Sequence, residues 1–217
     1  MRFNQGSLKL KTTIQLRSEE LEAQLKQELP GTSVHKEFSP LRNYSMDTSL
    51  YRESAVAIHL LFNENDTEVI LIKRTSYNGA HSGQIAFPGG KAEEADVNLE
   101  YTARRESQEE IGMPIQNGKC IGKLSPVLIP ISEFRVTPYI FVHKVFPKLN
   151  GNQREVDEII KCHLSDLDTH TKKKFQDVEA KAGYILKNVP GISYQGHFIW
   201  GATALMLHEL NCIMKAL

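Results

Sequence analysis

Between Ala55 and Arg74 the chain alternates between two apolar, β-branched runs, "AVAIHLLF" and "EVILIKR", with the turn-like "NENDT" between them. That pattern predicts a hairpin or an adjacent strand pair. Further runs of the same kind, "GKCIGKLSPVLI", "FRVTPYIFVHKV" and "EVDEIIKCHL", predict more strands, the last leading into a short helix near "LSDLDTH". Helical spacing appears in three places. Ser18 to Leu29 opens with a capping serine and an acidic first turn, carries Leu21, Leu25 and Leu29, and is stopped by Pro30-Gly31. A second helix is expected from about Asn98 to Ile111, ended by Gly112 with Pro114 beyond, and a closing helix over "GATALMLHELNCIMKAL". Thr32 to Glu53 is polar without a clean period and reads as a connection. Strands mixed with a few helices give an α/β or α+β sandwich, with residues 1–53 as an N-terminal helix and connecting segment and 54–217 as the main domain.

Composition narrows the function classes. The chain has 217 residues, enough for a substantial core, and its 26 basic side chains balance 26 acidic ones. No global field therefore argues for nucleic acid as partner. No segment approaches the roughly 20 apolar residues of a membrane helix, and the start "MRFNQGSLKLKTTIQL" lacks a secretory apolar run. Cys120, Cys162 and Cys212 form no C-x-x-C pair and read as reduced thiols, which places the protein in the cytoplasm.

Chemistry concentrates in "FPGGKAEEADVNLEYTARRESQEEIG", Phe87 to Gly112. On a helix, Glu106, Glu109 and Glu110 project from one broad face near the C-terminal end, where mutual repulsion and the helix dipole both penalise them. Arg104 and Arg105 offset part of this, and a solvated acidic surface laced with arginines is the plain alternative. The preceding Gly89-Gly90 lets backbone approach closely, and clustered oxygen ligands are what hard divalent cations take. Mg²⁺ or Mn²⁺ there would turn repulsion into coordination and would suit hydrolysis of a phosphoanhydride. Competing chemistries are poorly supported. Ser82-Gly83 lacks the Gly-x-Ser-x-Gly elbow, and Gly89-Gly90 lacks the Lys-Ser/Thr of a phosphate-binding loop and the third glycine of a dinucleotide fingerprint.

"RESQEEIGM", Arg105 to Met113, resembles the second half of the Nudix hydrolase signature, Arg-Glu-apolar-any-Glu-Glu-any-Gly-apolar, with Ser107 at the apolar position. Fourteen residues separate Gly90 from Arg105, one more than in the common signature, and the lone signature Glu falls among Glu93, Glu94 and Asp96. The coenzyme A pyrophosphatase branch has this longer spacing. "LIKRTSYNGAHSGQIAFPGG" is similar to that branch's upstream segment through Arg74, His81, Gly83, Gln84 and the "FPGG" tetrad, with Gly79 where the branch has a second arginine and Thr75 for the usual Ser or Ala. "SPVLIPISEFRVTPYIF" and "HFIWGATALML" also look like segments of this branch.

The resemblance implies the Nudix fold, a mixed β-sheet sandwiched between α-helices with the signature as loop-helix-loop. It also implies metal-dependent pyrophosphohydrolase activity, on coenzyme A or on another substrate such as ADP-ribose or NADH, with a non-catalytic binding module as the further alternative. By position, Glu106, Glu109, Glu110 and the Gly90 carbonyl are the implied metal ligands, and Arg105 holds carboxylates by ion pairing beside the catalytic Glu106 and Glu109. The base is open among Glu106, Glu109, Glu155 and Glu158. Arg74, His81 and Gln84 are candidate substrate donors; Lys73 and Arg135 are weaker ones, Arg104 a solvated neighbour, and Trp200 a core residue or a stacking surface. The expected partner is a small nucleotide substrate, with no nucleic acid or membrane and a homodimer left open.

Overall fold

The computed structural model describes residues 3–40, 42, 48–64, 66–75, 83–181 and 183–217, without the side chains of 3–13, 48 and 181. Helix α1 (Phe3–Gln24) begins well before Ser18, so Ser18 lies inside the helix and does not cap it. No proline interrupts the preceding residues, and the helix continues through them. Leu21 and Leu25 are buried as their spacing predicts, each contributing about 1.5–3 kcal/mol of burial. The expected connection after Pro30 holds a short helix, α2 (Thr32–Phe38), whose Val34 and Phe38 are buried one turn apart, and a 3-10 turn at Thr48–Leu50.

Strands β1 (Arg52–Phe62) and β2 (Thr67–Arg74) form the expected hairpin, with Leu60 opposite Val69 and Phe62 opposite Thr67. Two short strands, β3 (Ile85–Ala86) and β4 (Gly89–Lys91), precede α3 (Leu99–Ile111). Then come β5 (Lys119–Lys123), β6 (Val127–Ile129), β7 (Phe134–His143) and β8 (Val156–His163), all within the predicted runs. The short helix near "LSDLDTH" is a 3-10 turn, Leu164–Leu167. Strands β9 (Lys173–Lys181), β10 (Tyr184–Tyr194) and β11 (His197–Trp200) lead into α4 (Gly201–Lys215), the closing helix.

Eight strands build one mixed sheet in the order β3-β2-β1-β7-β5, with β4 also on β1, β6 on β7 and β8 on β2. Strands β1 and β7 run parallel from Arg52 opposite Phe134 to Leu61 opposite His143. Strict alternation sends Ile58, Leu60, Phe62, Val69 and Leu71 into one core, shared with Leu21, Leu25, Phe38 and Leu205, Leu207 and Leu210 of α4. The intervening positions face α3: Ile70 and Ile72 pack with Ile111 and Met113, while Ala55 and Ala57 meet Ala103 and Phe141. Small side chains at that second contact let α3 lie close to β1, which is what brings its carboxylates to β4. The result is the sheet between helices that the resemblance implies.

The separate antiparallel sheet β9-β10-β11 was not expected. Register shifts at Tyr184/Ile185 and Leu186/Val189 break its two-residue period, and β10 is mostly exposed or half-buried, so little apolar alternation marks it. Buried Glu209 of α4 accepts from Gly31 N–H (3.2 Å), the Ser125 hydroxyl (2.6 Å) and Ser125 N–H (3.2 Å), and lies 3.1 Å from His35 Nε2. Burial alone would raise its pKa, but the His35 and Ser125 contacts hold it below the usual carboxylate value. This knot ties the N-terminal segment to the closing helix. All three cysteines are free thiols. Among the described residues no helix is long and apolar enough to cross a membrane.

Candidate active site

Backbone chemistry sets both ends of α3. Asn98 Oδ1 accepts from Tyr101 N–H at 2.8 Å, and Gly112 takes the left-handed conformation (φ 69°, ψ 21°) that favours glycine, its N–H returning to the Gln108 carbonyl at 3.0 Å. The limits match those read from the sequence and leave Glu106, Glu109 and Glu110 in the last two turns.

Facing them is β4, paired with β1 so that Ala55 lies opposite Gly90 and Val56 opposite Gly89. A Cβ on Gly89 would meet the Ala55 carbonyl oxygen at 2.4 Å and Val56 Cα at 2.6 Å. On Gly90 it would meet the Glu106 carboxyl, 2.5 Å from Cδ and Oε2. The two glycines therefore serve different ends: the first lets strands close, and the second makes a seat for a carboxylate. The Gly90 carbonyl accepts from the Ser54 hydroxyl at 2.7 Å.

The three glutamates are not equivalent. Glu110 is 1 % exposed, accepts from Gly89 N–H (2.8 Å) and Arg74 (3.1 Å), and is pushed up to about 7 by burial, with Glu106 and Glu155 adding to the rise against Arg74 and the Gly89 N–H. Glu106 is half-buried and also raised, first by burial, against the ion pair with Arg105 at 2.9 Å. Glu109 is exposed and reaches Arg105 at 3.2 Å.

Arg105 organises the cluster. Its Nε and one terminal nitrogen bond the two Asp96 oxygens at 2.9 and 3.0 Å, and the same terminal nitrogen donates to the Lys91 carbonyl. Hydrogen bonds from Arg105 hold Asp96 far below the usual carboxylate range, with Glu93 N–H and the Thr102 hydroxyl assisting. Of Glu93, Glu94 and Asp96, it is therefore Asp96 that meets the signature arginine.

Arg104 corrects an expectation. It is not a solvated neighbour: it bonds Glu100, donates to the carbonyls of Ile115, Asn117 and Gly118, and stacks 4.4 Å over Phe141. The chain reversal after Gly112 leaves those carbonyls without helical partners, and Arg104 satisfies them.

Ser107, at an apolar signature position, is fully buried, donates to the Ala103 carbonyl and lies 3.1 Å from His59 Nε2. His59 Nδ1 is 2.9 Å from His143 Nε2. Burial lowers both histidines, His143 to about 4 with Arg104 contributing. This network under α3 went unseen in the sequence; Ser107 itself was its one signal.

The outer candidates separate. Arg74 points into the cluster through Glu110, and its buried Nε–H has no acceptor among the described residues. Lys73 pairs with Asp157 at 3.6 Å and Arg135 with Glu53 at 3.1 Å. Gln84 accepts from Arg74 N–H through its backbone carbonyl at 3.0 Å. Glu155 bears electrostatically on Glu106 and Glu110, whereas Glu158 faces His197 at 3.4 Å. Trp200 is half-buried at the start of α4 and is not a full core residue. His81 and Gly79 lie outside the described residues.

Comparison with known proteins identifies the family. The NUDIX domain model matches residues 51–184. The uncharacterized Nudix hydrolase NudL of Pectobacterium atrosepticum is 33% identical over 159 residues, covering 73% of this chain and 81% of that protein. NudL of Photorhabdus laumondii is 32% identical, covering 73% and 83%. Among solved structures, a MutT/nudix family protein from Enterococcus faecalis matches with a TM-score of 0.47 at 15% identity, covering 90% of this chain and 71% of that one. The domain match spans the glycine strand, the carboxylate helix and the main sheet together, and the chain belongs to the Nudix hydrolase family.

Proposed function

We propose that this Nudix hydrolase cleaves the pyrophosphate linkage of coenzyme A or an acyl-coenzyme A, giving 4′-phosphopantetheine (or its acyl form) and 3′,5′-ADP. The observation that carries the chemistry is the buried Glu110, held on Gly89 N–H and Arg74 beside Glu106 seated against Gly90. A donor set of carboxylates and a backbone carbonyl, with no sulfur or imidazole in it, suits a hard dication. Glu106, Glu109, Glu110 and the Gly90 carbonyl would hold Mg²⁺ or Mn²⁺. Such a cation would supply positive charge to neutralise what develops on the phosphate oxygens.

The chain's own residues do the rest. Arg105, anchored on Asp96, aims Glu106 and Glu109. Arg74, with an Nε–H lacking an acceptor among the described residues, donates to a phosphate oxygen. Glu155, whose charge reaches the cluster, aligns water for in-line attack on phosphorus and takes its proton as the bridging P–O bond breaks. The 1–53 segment, packed on the core through Leu21, Leu25 and Phe38, supports the hydrolase domain at 54–217. Free thiols fit a cytoplasmic enzyme.

The longer loop between Gly90 and Arg105 and the "GQIAFPGG" segment support coenzyme A as substrate. A panel of coenzyme A, ADP-ribose, NADH and dNTPs with Mg²⁺, with products identified by mass, tests it. Preferred release of 3′,5′-ADP is expected. Preference for another member of the panel overturns the substrate, and unchanged metal-dependent turnover in Glu109→Gln overturns the ligand set.

A further inference from the structure

A second group of ligating side chains lies apart from the carboxylates. His208 and Cys212 stand one turn apart on α4, and the turn after the 3-10 segment brings His170 to both. Cys212 Sγ is 3.7 Å from His170 Nε2 and 3.9 Å from His208 Nε2, and all three ligand atoms lie within 4.8 Å of one another. Zinc–nitrogen and zinc–sulfur bonds of about 2.0 and 2.3 Å at a tetrahedral angle place S and N about 3.5 Å apart. The two sulfur–nitrogen separations thus sit a few tenths of an ångström from that value, while the two histidine nitrogens lie within 4.8 Å of each other.

The surroundings orient the group. His208 Nδ1 is 2.7 Å from the buried Thr169 hydroxyl; donating there, it leaves the Nε2 lone pair toward Cys212. Asp168 accepts from His170 N–H at 3.0 Å and from the Thr171 hydroxyl at 3.1 Å, fixing the turn that carries His170. The nearby cation Lys215 is neutralised on Asp168 at 2.9 Å. One thiolate and two imidazoles are borderline-to-soft donors, unlike the oxygen-only set on α3, and select Zn²⁺ over Mg²⁺.

The geometry points to a zinc site formed by His170, His208 and Cys212 that clips the 168–172 turn to α4, with water in the fourth position on the side where His170 is exposed. Binding replaces the Cys212 thiol proton, which passes to solvent, with a sulfur–metal bond. The competing arrangement is a thiol merely hydrogen-bonded to two imidazoles.

Co²⁺ titrated into the chelator-stripped full chain, with Mg²⁺ in excess to occupy oxygen sites, separates the two. A thiolate-to-cobalt charge-transfer band in the near ultraviolet, with strong tetrahedral visible bands bleached by Zn²⁺, is expected. Cys212→Ser should abolish the near-ultraviolet band, and His170→Ala, at an exposed position, should weaken binding at least about tenfold. Thr169→Val should cost about 10- to 100-fold in affinity. All three should keep wild-type hydrolase activity. No charge-transfer band in the wild type, or the same band in Cys212→Ser, overturns the site.

Discussion

Gly90→Ala isolates the contact between glycine strand and carboxylate helix. The added Cβ would stand 2.5 Å from Glu106 Cδ and Oε2 and 2.6 Å from Oε1, and no backbone atom is among its three nearest neighbours. Carbon and oxygen at ordinary contact need about 3.5 Å, so the Glu106 carboxyl must retreat by about 1 Å. Backbone strain does not add to this, because Gly90 lies outside the left-handed region. Misplacing a catalytic group by about 1 Å costs on the order of 100-fold in rate, equivalent to about 2.7 kcal/mol of transition-state stabilisation. The expected result is a kcat/KM lower by about 100-fold and half-activation at higher Mg²⁺, with folding stability changed by no more than about 1 kcal/mol. Steady-state kinetics across a Mg²⁺ titration, with thermal melts of the metal-free protein, reads both. Unchanged kcat/KM and Mg²⁺ dependence would refute the seating of Glu106 on Gly90. Gly89→Ala is the contrast: its Cβ meets the Ala55 carbonyl and Val56 Cα, backbone that cannot swing aside, and poorly folded protein is expected.

Asp96→Asn should free Arg105 from its two-point anchor and lower kcat by about tenfold or more at little change in KM, since a charge-assisted bond is worth about 1.5–3 kcal/mol; an unchanged kcat removes Asp96 from the account. Ser107→Ala leaves His59 Nε2 without its buried partner and should cost about 1–3 kcal/mol in urea unfolding, where a neutral result would mean that the network carries no energy. His143 titrates near 4 folded, because of burial and then Arg104, against about 6.5 unfolded. Between those values the unfolded chain binds a proton that the folded one excludes, so stability rises with pH across the window and is lost as pH falls, by about 3 kcal/mol at most. Urea midpoints of wild type and His143→Gln from pH 4 to 7 check this, and equal slopes would contradict it.

Much of the frame was legible locally. The apolar, β-branched runs "AVAIHLLF" and "EVILIKR" marked two strands, and Asn98 and Gly112 marked the ends of α3, because strand propensity and helix caps are short-range chemistry. The three-stranded sheet after Lys173 escaped because its bulges break that period. The start of α1 escaped because a mid-helix serine followed by acids looks like a cap.

The sequence by itself determined that Glu106, Glu109 and Glu110 share a helix behind two glycines, and so the family. Only the tertiary structure decided that one is buried on Gly89 N–H and Arg74, one rests on Gly90, and one stays in solvent. It also selected Asp96 as the partner of Arg105, turned Arg104 toward loop carbonyls, and gave Ser107 a histidine from β1. Spacing along a helix sets which side chains share a face. Their charge, burial and partners depend on strands dozens of residues away, whose approach is set by the packing of Ala55, Ala57 and Ala103.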